Sequence, residues 1–158
     1  MGALDDLLNS DHLVNEFTKL TPVQQAIVTW RMKWYSTALD HQIEPAGENW
    51  GIWLLLGGRG AGKTRAAAET LLGWAWDQPG TRWLVSAPTS GDLKGTCFEG
   101  DSGLLAIAPP SIVADYNKAL HELRLINGSF IKGIPASEPE RFRGPQFHGG
   151  WLDELAAW

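Results

Sequence analysis

Gly57-Gly58-Arg59-Gly60-Ala61-Gly62-Lys63-Thr64 fits the pattern G-x-x-x-x-G-K-S/T at every constrained position. Residues of these types at this spacing make a phosphate-binding loop. Gly57, Gly58, Gly60 and Gly62, with the small Ala61, let backbone N–H groups curl round phosphates, and a helix N-terminus adds partial positive charge there. Lys63 is then expected to reach a nucleotide's β- and γ-phosphates, and Thr64 to supply its hydroxyl to Mg²⁺. The adjacent acids Asp153 and Glu154 are the second candidate group. An aspartate ending a core strand holds Mg²⁺ through its water shell, and a glutamate directly after it orients and deprotonates the attacking water. An acidic first helical turn accounts for the same two residues. Arg59 lies inside the glycine loop, where it could touch the γ-phosphate or gate the loop. Arg143, in Arg141-Phe142-Arg143-Gly144-Pro145, could serve as an arginine finger from this chain or a neighbour. A surface ion pair is the alternative for either arginine, and the simpler one for Arg143.

The loop works only between a strand and a helix. Trp50-Gly51-Ile52-Trp53-Leu54-Leu55-Leu56 reads as a buried strand ahead of it, and the alanine- and leucine-rich segment from Arg65 to about Trp76 reads as a helix. Arg82 to Ala87 reads as a second buried strand, reached through the turn Asp77-Gln78-Pro79-Gly80. Pro88 to Gly91 is a strand-to-helix loop, leading into a helix through Leu93 and Phe98. A short helix follows Gly103. Ser111–Tyr116, Glu122–Ile126 and Ser129–Ile134 are short alternating segments, the last two joined by the hairpin signal Asn127-Gly128. Pro135 to Gly144 is loop with one helical turn, and Gly150 to Asp153 is a short third core strand.

Residues 1–45 form an N-terminal helical segment and 46–158 the core. Leu4, Leu7 and Leu8 share one face, as do Leu13, Phe17 and Leu20. Thr21-Pro22-Val23-Gln24 has the capping-box form and opens a helix to about Leu39, with Ile27, Trp30, Trp34 and Leu39 near one stripe. Strands alternating with helices make an α/β chain with a mainly parallel sheet, whose ligands sit beyond the strand C-termini. The glycine loop and Asp153-Glu154 therefore face the same phosphates.

The 158 residues suffice for one domain with a real core, and nine tryptophans help to fill it. A net charge of −5 gives no overall basic footprint, so any DNA contact is local or carried elsewhere. The single Cys97 excludes an internal disulfide and a cysteine-based zinc site. The acidic start is no secretory signal, and no apolar run reaches membrane-spanning length. The expected location is the host cytoplasm, in soluble form.

These segments together resemble the ATPase domain of bacteriophage and gene transfer agent large terminase subunits. The residues that carry the resemblance are His41-Gln42, Trp53 to Arg65, Gly100 to Leu105, Arg143-Gly144-Pro145-Gln146-Phe147 and Trp151-Leu152-Asp153-Glu154-Leu155-Ala156. The glycine loop is common to many nucleotide hydrolases, whereas the loop arginine, the R-G-P-x-F block and the closing D-E-L-A are selective. The resemblance implies a P-loop, RecA-like core cut short after the Walker B strand, in a motor that uses ATP and Mg²⁺ to drive double-stranded DNA into a procapsid. It implies Lys63 on phosphate, Thr64 and Asp153 on metal, Glu154 as catalytic glutamate and Arg59 as loop arginine. It further implies Arg143 as a finger on the neighbouring subunit of a homo-oligomeric ring, and Gln42 reading adenine. An exposed helix-end glutamine explains Gln42 as well, and Gln24 is a weaker alternative. The implied partners are the portal or procapsid and the small terminase subunit, with no membrane. The nuclease region of large terminases has no counterpart here. A helicase-like ATPase and a non-catalytic nucleotide-binding adaptor are the rival readings.

Overall fold

The structure, a computed structural model, describes residues 10–47 and 49–158. The expected face of Leu4, Leu7 and Leu8 lies outside the described residues. Helix α1 (Ser10–Lys19) leads into α2 (Pro22–Thr37). The capping box at Thr21 is formed: Thr21 Oγ1 accepts from Gln24 N at 3.3 Å, and Gln24 Oε1 accepts from Thr21 N at 2.9 Å. These bonds satisfy donors that a helix start leaves without partners. The expected stripe is only partly buried. Trp30 and Trp34 turn inward, whereas α2 ends at Thr37 and Leu39 is exposed.

Helix α3 (Lys63–Asp77) packs beside α2 through a buried carboxylate. Glu69 accepts from the Trp30 indole N–H and from Arg65 Nε, the latter at 2.8 Å. A carboxylate removed from water needs such partners. Arg31 adds a second clasp, donating to Asp77 Oδ2 at 2.6 Å and to Gly73 O at 3.2 Å. The alanines of α3 allow close approach to the sheet: Ala66, Ala68 and Ala75 are fully buried.

Five strands form one sheet in the order β2-β3-β4-β1-β5. They are β1 (Arg82–Ser86), β2 (Val113–Asn117), β3 (Glu122–Leu125), β4 (Phe130–Gly133) and β5 (Gly149–Leu152). The sheet is mixed rather than mainly parallel. β1 runs parallel to both β4 and β5, while β2–β3 and β3–β4 are antiparallel. Tight turns between β2, β3 and β4 impose this, because strands joined by a few residues can only reverse direction. Asn127-Gly128 makes the second turn, with Gly128 at φ +86. Between β1 and β2 lie a short helix α4 (Ser90–Asp92), a π-helical turn (Leu93–Phe98) and helix α5 (Leu104–Ile107). Trp83, Val85, Leu123, Ile131 and Trp151 join Leu71, Leu72, Leu93 and Phe98 in the core beneath these helices.

The strand expected at Trp50–Leu56 is not formed. The segment has no ladder partner, and Ile52, Leu54 and Leu56 are 87%, 67% and 83% exposed. Trp53 and Leu55 between them are half-buried, so one side of the segment is packed and the other bare. An apolar run signals burial only where a neighbouring strand and a covering layer exist. Among the described residues β5 pairs with β1 and its other edge is free. The tryptophans fill the core only in part: Trp30, Trp34, Trp83 and Trp151 are buried, whereas Trp50, Trp53, Trp74 and Trp76 are half-buried and Trp158 is exposed. Trp50, Trp74 and Trp83 stand in a row with ring centroids 6.1 and 5.5 Å apart, and His148 lies 6.3 Å beyond Trp83.

Candidate functional site

The glycine loop joins the bare segment to α3. Gly60 and Gly62 take φ +79 and +74, left-handed values that turn the chain sharply before Lys63 starts the helix. Ala61 N donates to Gly58 O at 3.4 Å and Ala66 N to Gly62 O at 2.9 Å, which closes the loop onto the helix. Lys63 folds back over the loop, its Nζ donating to Gly57 O at 2.8 Å and Gly58 O at 2.9 Å. Thr64 is half-buried in the first turn of α3. Arg59 is exposed and makes no ion pair among the described residues.

Gln42 reaches the same loop from a 3₁₀ turn at Asp40–Gln42. Its Nε2 donates to Ala61 O at 3.2 Å and its Oε1 accepts from Leu39 N at 2.9 Å. Both ends of the amide thus contact protein, and a methyl group added at Gly62 would overlap it. Gln24 is committed to the capping box at Thr21.

Asp153 follows directly on β5 and extends its pairing with β1, its N–H donating to Ser86 O at 2.7 Å. Burial raises its carboxyl pKa above the ordinary value. Trp151 opposes this, Glu154 adds to it, Lys63 opposes it and Asp92 adds to it. The charges of Lys63, Glu154 and Asp92 therefore all act on Asp153. Glu154 is exposed at φ +47, a left-handed backbone that a non-glycine residue holds at a cost. Cys97 is fully buried; burial pushes its thiol well up, and Asp153, Asp92 and Glu154 push in the same direction.

Asp153 and Glu154 thus stand at the end of β5 beside β1, while Lys63 heads α3 and Gln42 reaches the glycine loop. Arg143 makes its contact elsewhere. That side chain is 80% exposed and pairs with Glu140 at 2.9 Å in the 3₁₀ segment after β4. Asp92 was not singled out from the sequence. It accepts from Thr89 Oγ1 at 2.6 Å and from Thr89 N at 3.1 Å. The spacing Thr89-x-x-Asp92 is itself a capping signature and could have marked this loop.

The donor set suits a small hard cation. A hydroxyl and a carboxylate are oxygen ligands of the kind Mg²⁺ takes alongside waters and phosphate oxygens. No cluster of three or more His, Cys, Asp or Glu able to hold a metal occurs among the described residues. No helix among the described residues is long and apolar enough to cross a membrane.

A family model described as terminase large subunit, T4likevirus-type, N-terminal, matches residues 54–158, more than half of the chain. No curated protein and no solved structure matches.

Proposed function

The chain belongs to the terminase large subunits of T4-like type, over their N-terminal part, and from this we propose that it is the ATP-hydrolysing motor region that drives double-stranded DNA into a procapsid. The family acts in viral DNA packaging; the nucleotide chemistry is our assignment. We read the core as a P-loop, RecA-like fold. The observation that carries this is the glycine loop itself: Gly60 and Gly62 take left-handed φ values, Lys63 opens α3 directly after them, and Lys63 Nζ folds back to Gly57 O at 2.8 Å and Gly58 O at 2.9 Å.

In this assignment the loop amides from Gly57 to Thr64 receive the terminal phosphates, and Lys63 exchanges its carbonyl partners for phosphate oxygens. Thr64 and Asp153 hold Mg²⁺, which when bound draws negative charge from the transferring phosphoryl group. Glu154 takes a proton from the attacking water. Arg59 serves the γ-phosphate from within the loop. Arg143, exposed and held only by a surface ion pair, is free to act on a neighbouring subunit of a ring. The portal or procapsid and the small terminase subunit complete the proposed assembly.

Two substitutions test the assignment. Lys63→Ala should weaken binding of a fluorescent ATP analogue by at least a hundredfold; an unchanged affinity would remove the loop from the mechanism. Glu154→Gln should retain nucleotide but lower hydrolysis by about 10²–10⁴-fold, the usual contribution of a positioned base. Normal turnover would rule out Glu154. A second reading, nucleotide binding without turnover, is favoured by the unpaired Ile52–Leu56 segment next to the loop. Tight binding by the wild-type chain with no DNA-stimulated phosphate release would select it.

A further inference from the structure

His121 closes the turn between β2 and β3 at φ +51, a left-handed conformation for a side chain that rarely takes it. Asn117 builds the turn, its Oδ1 accepting from Ala119 N at 3.1 Å and Leu120 N at 3.0 Å. This backbone aims the imidazole inward. His121 is 7% exposed and its ring stacks 6.2 Å from Phe98. His121 O accepts from Gly133 N at 2.7 Å. A methyl at Gly133 would come within 2.9 Å of both His121 Cβ and the Phe98 ring, so β4 leaves that space to the histidine.

The two ring nitrogens have different fates. Nε2 lies 2.8 Å from the hydroxyl of Ser90, the first residue of α4. Nδ1 is buried with no hydrogen-bond partner among the described residues. A neutral ring can donate from Nε2 to Ser90 and leave Nδ1 bare. A second proton would place an N–H at Nδ1 with nothing to receive it, and would bury a positive charge.

Four charged groups face the ring: Lys94 and Glu99 from the π-helical turn and its end, and Glu138 and Arg141 from the segment after β4. Glu138 is paired with Arg141 at 2.9 Å and Glu99 with Lys118 at 3.2 Å. The neighbouring Glu122 is taken by Lys132 and Arg124. Signs are balanced, so burial decides and holds the histidine below its ordinary pKa. Arg141 acts in the same direction, Glu138 and Glu99 oppose it, and Lys94 assists.

We propose that His121 and Ser90 form a proton-operated latch: the neutral imidazole clamps the β2–β3 turn onto the loop that follows β1, and proton uptake at the buried Nδ1 releases it. The clamped loop carries Asp92, whose charge reaches Asp153. The latch does not depend on the ATPase assignment. The sign follows from linkage. The released histidine titrates near 6.5 and the latched one lower. Closure is complete above about pH 6.5. As pH falls from there toward the latched value, the open form binds the extra proton and the opening constant rises by up to tenfold per pH unit.

Hydrogen exchange of the whole chain between pH 8 and 5, corrected for the intrinsic pH dependence of exchange, tests this. The amides of Asp92, Leu93 and Gly133 should open increasingly below pH 6.5, while those of β1 stay flat. His121→Asn keeps a residue that tolerates positive φ and cannot titrate; its opening should not vary with pH. Ser90→Ala should open the Asp92 and Leu93 amides at every pH. The His121 ring-proton shift of the wild-type chain needs no variant and should titrate below 6.5. A midpoint at or above 6.5, an undiminished pH slope in His121→Asn, or protected Asp92 and Leu93 amides in Ser90→Ala would each overturn the latch.

Discussion

Gly62 carries two constraints at once. Its φ of +74 disfavours any side chain, and the Gln42 amide occupies the space a side chain would enter. Gly62→Ala should cost about 1–2 kcal/mol from the left-handed backbone alone and more from the overlap. Urea unfolding of Gly62→Ala in wild-type and Gln42→Ala backgrounds separates the two contributions. The cost should fall in the second background; equal costs would mean that Gln42 does not brace the loop. Glu154 at φ +47 is the other strained position of the site. Its backbone cost falls on the acid assigned to activate water, which accords with strain being tolerated at working positions.

Elements respond to what covers them more than to their composition. Ile131 on β4 and Leu54 in the bare segment are both aliphatic, yet one is 0% and the other 67% exposed. Ile131→Ala should destabilise by about 2–5 kcal/mol, the range for emptying a packed site. Leu54→Ser should change stability by no more than about 0.5 kcal/mol, as for a surface position. Chemical denaturation of both variants checks the contrast. A large cost at Leu54 would show that the segment is a buried strand after all. The same dependence on cover explains the α2–α3 pairing. Glu69 is 2% exposed, and only partners from two helices, Trp30 and Arg65, make a carboxylate tolerable there.

At the scale of the whole molecule, the helices lie over the sheet face bearing Trp83, Val85, Ile131 and Trp151. The opposite face leaves Leu84 and Phe130 half-buried and Leu152 exposed. The site stands at one end of this arrangement and works against its stability. Asp153 is raised by burial, so the folded state binds its proton more tightly than the unfolded chain. Its ionisation therefore destabilises the fold above the folded pKa. Below the unfolded value, 3.8, the effect is gone. Asp153→Asn should melt at a higher temperature than wild type at pH 7, with the difference shrinking as pH falls toward that value. A thermal series from pH 7 to 3.5 measures it, and a lower-melting Asn variant at pH 7 would contradict the assigned cause. Much of the molecule is legible from local signals. The glycine loop, the hairpin at Asn127-Gly128 and the Thr21 cap rest on residue types that constrain their own backbone, and α3 and β1 on their apolar patterns, whereas β5, with Gly149 and Gly150 ahead of Trp151-Leu152, is only weakly marked. Arrangements between distant segments are not legible in this way. Trp30 meets Glu69 across 39 positions and Ser90 meets His121 across 31, and neither pair has any local mark. Residue types alone mark where the chain must turn and where helices start, because glycine conformations and capping bonds are short-range. The uncovered Ile52–Leu56 segment and the mixed sheet emerge only from the folded arrangement. Burial and charge coupling depend on neighbours that folding alone supplies.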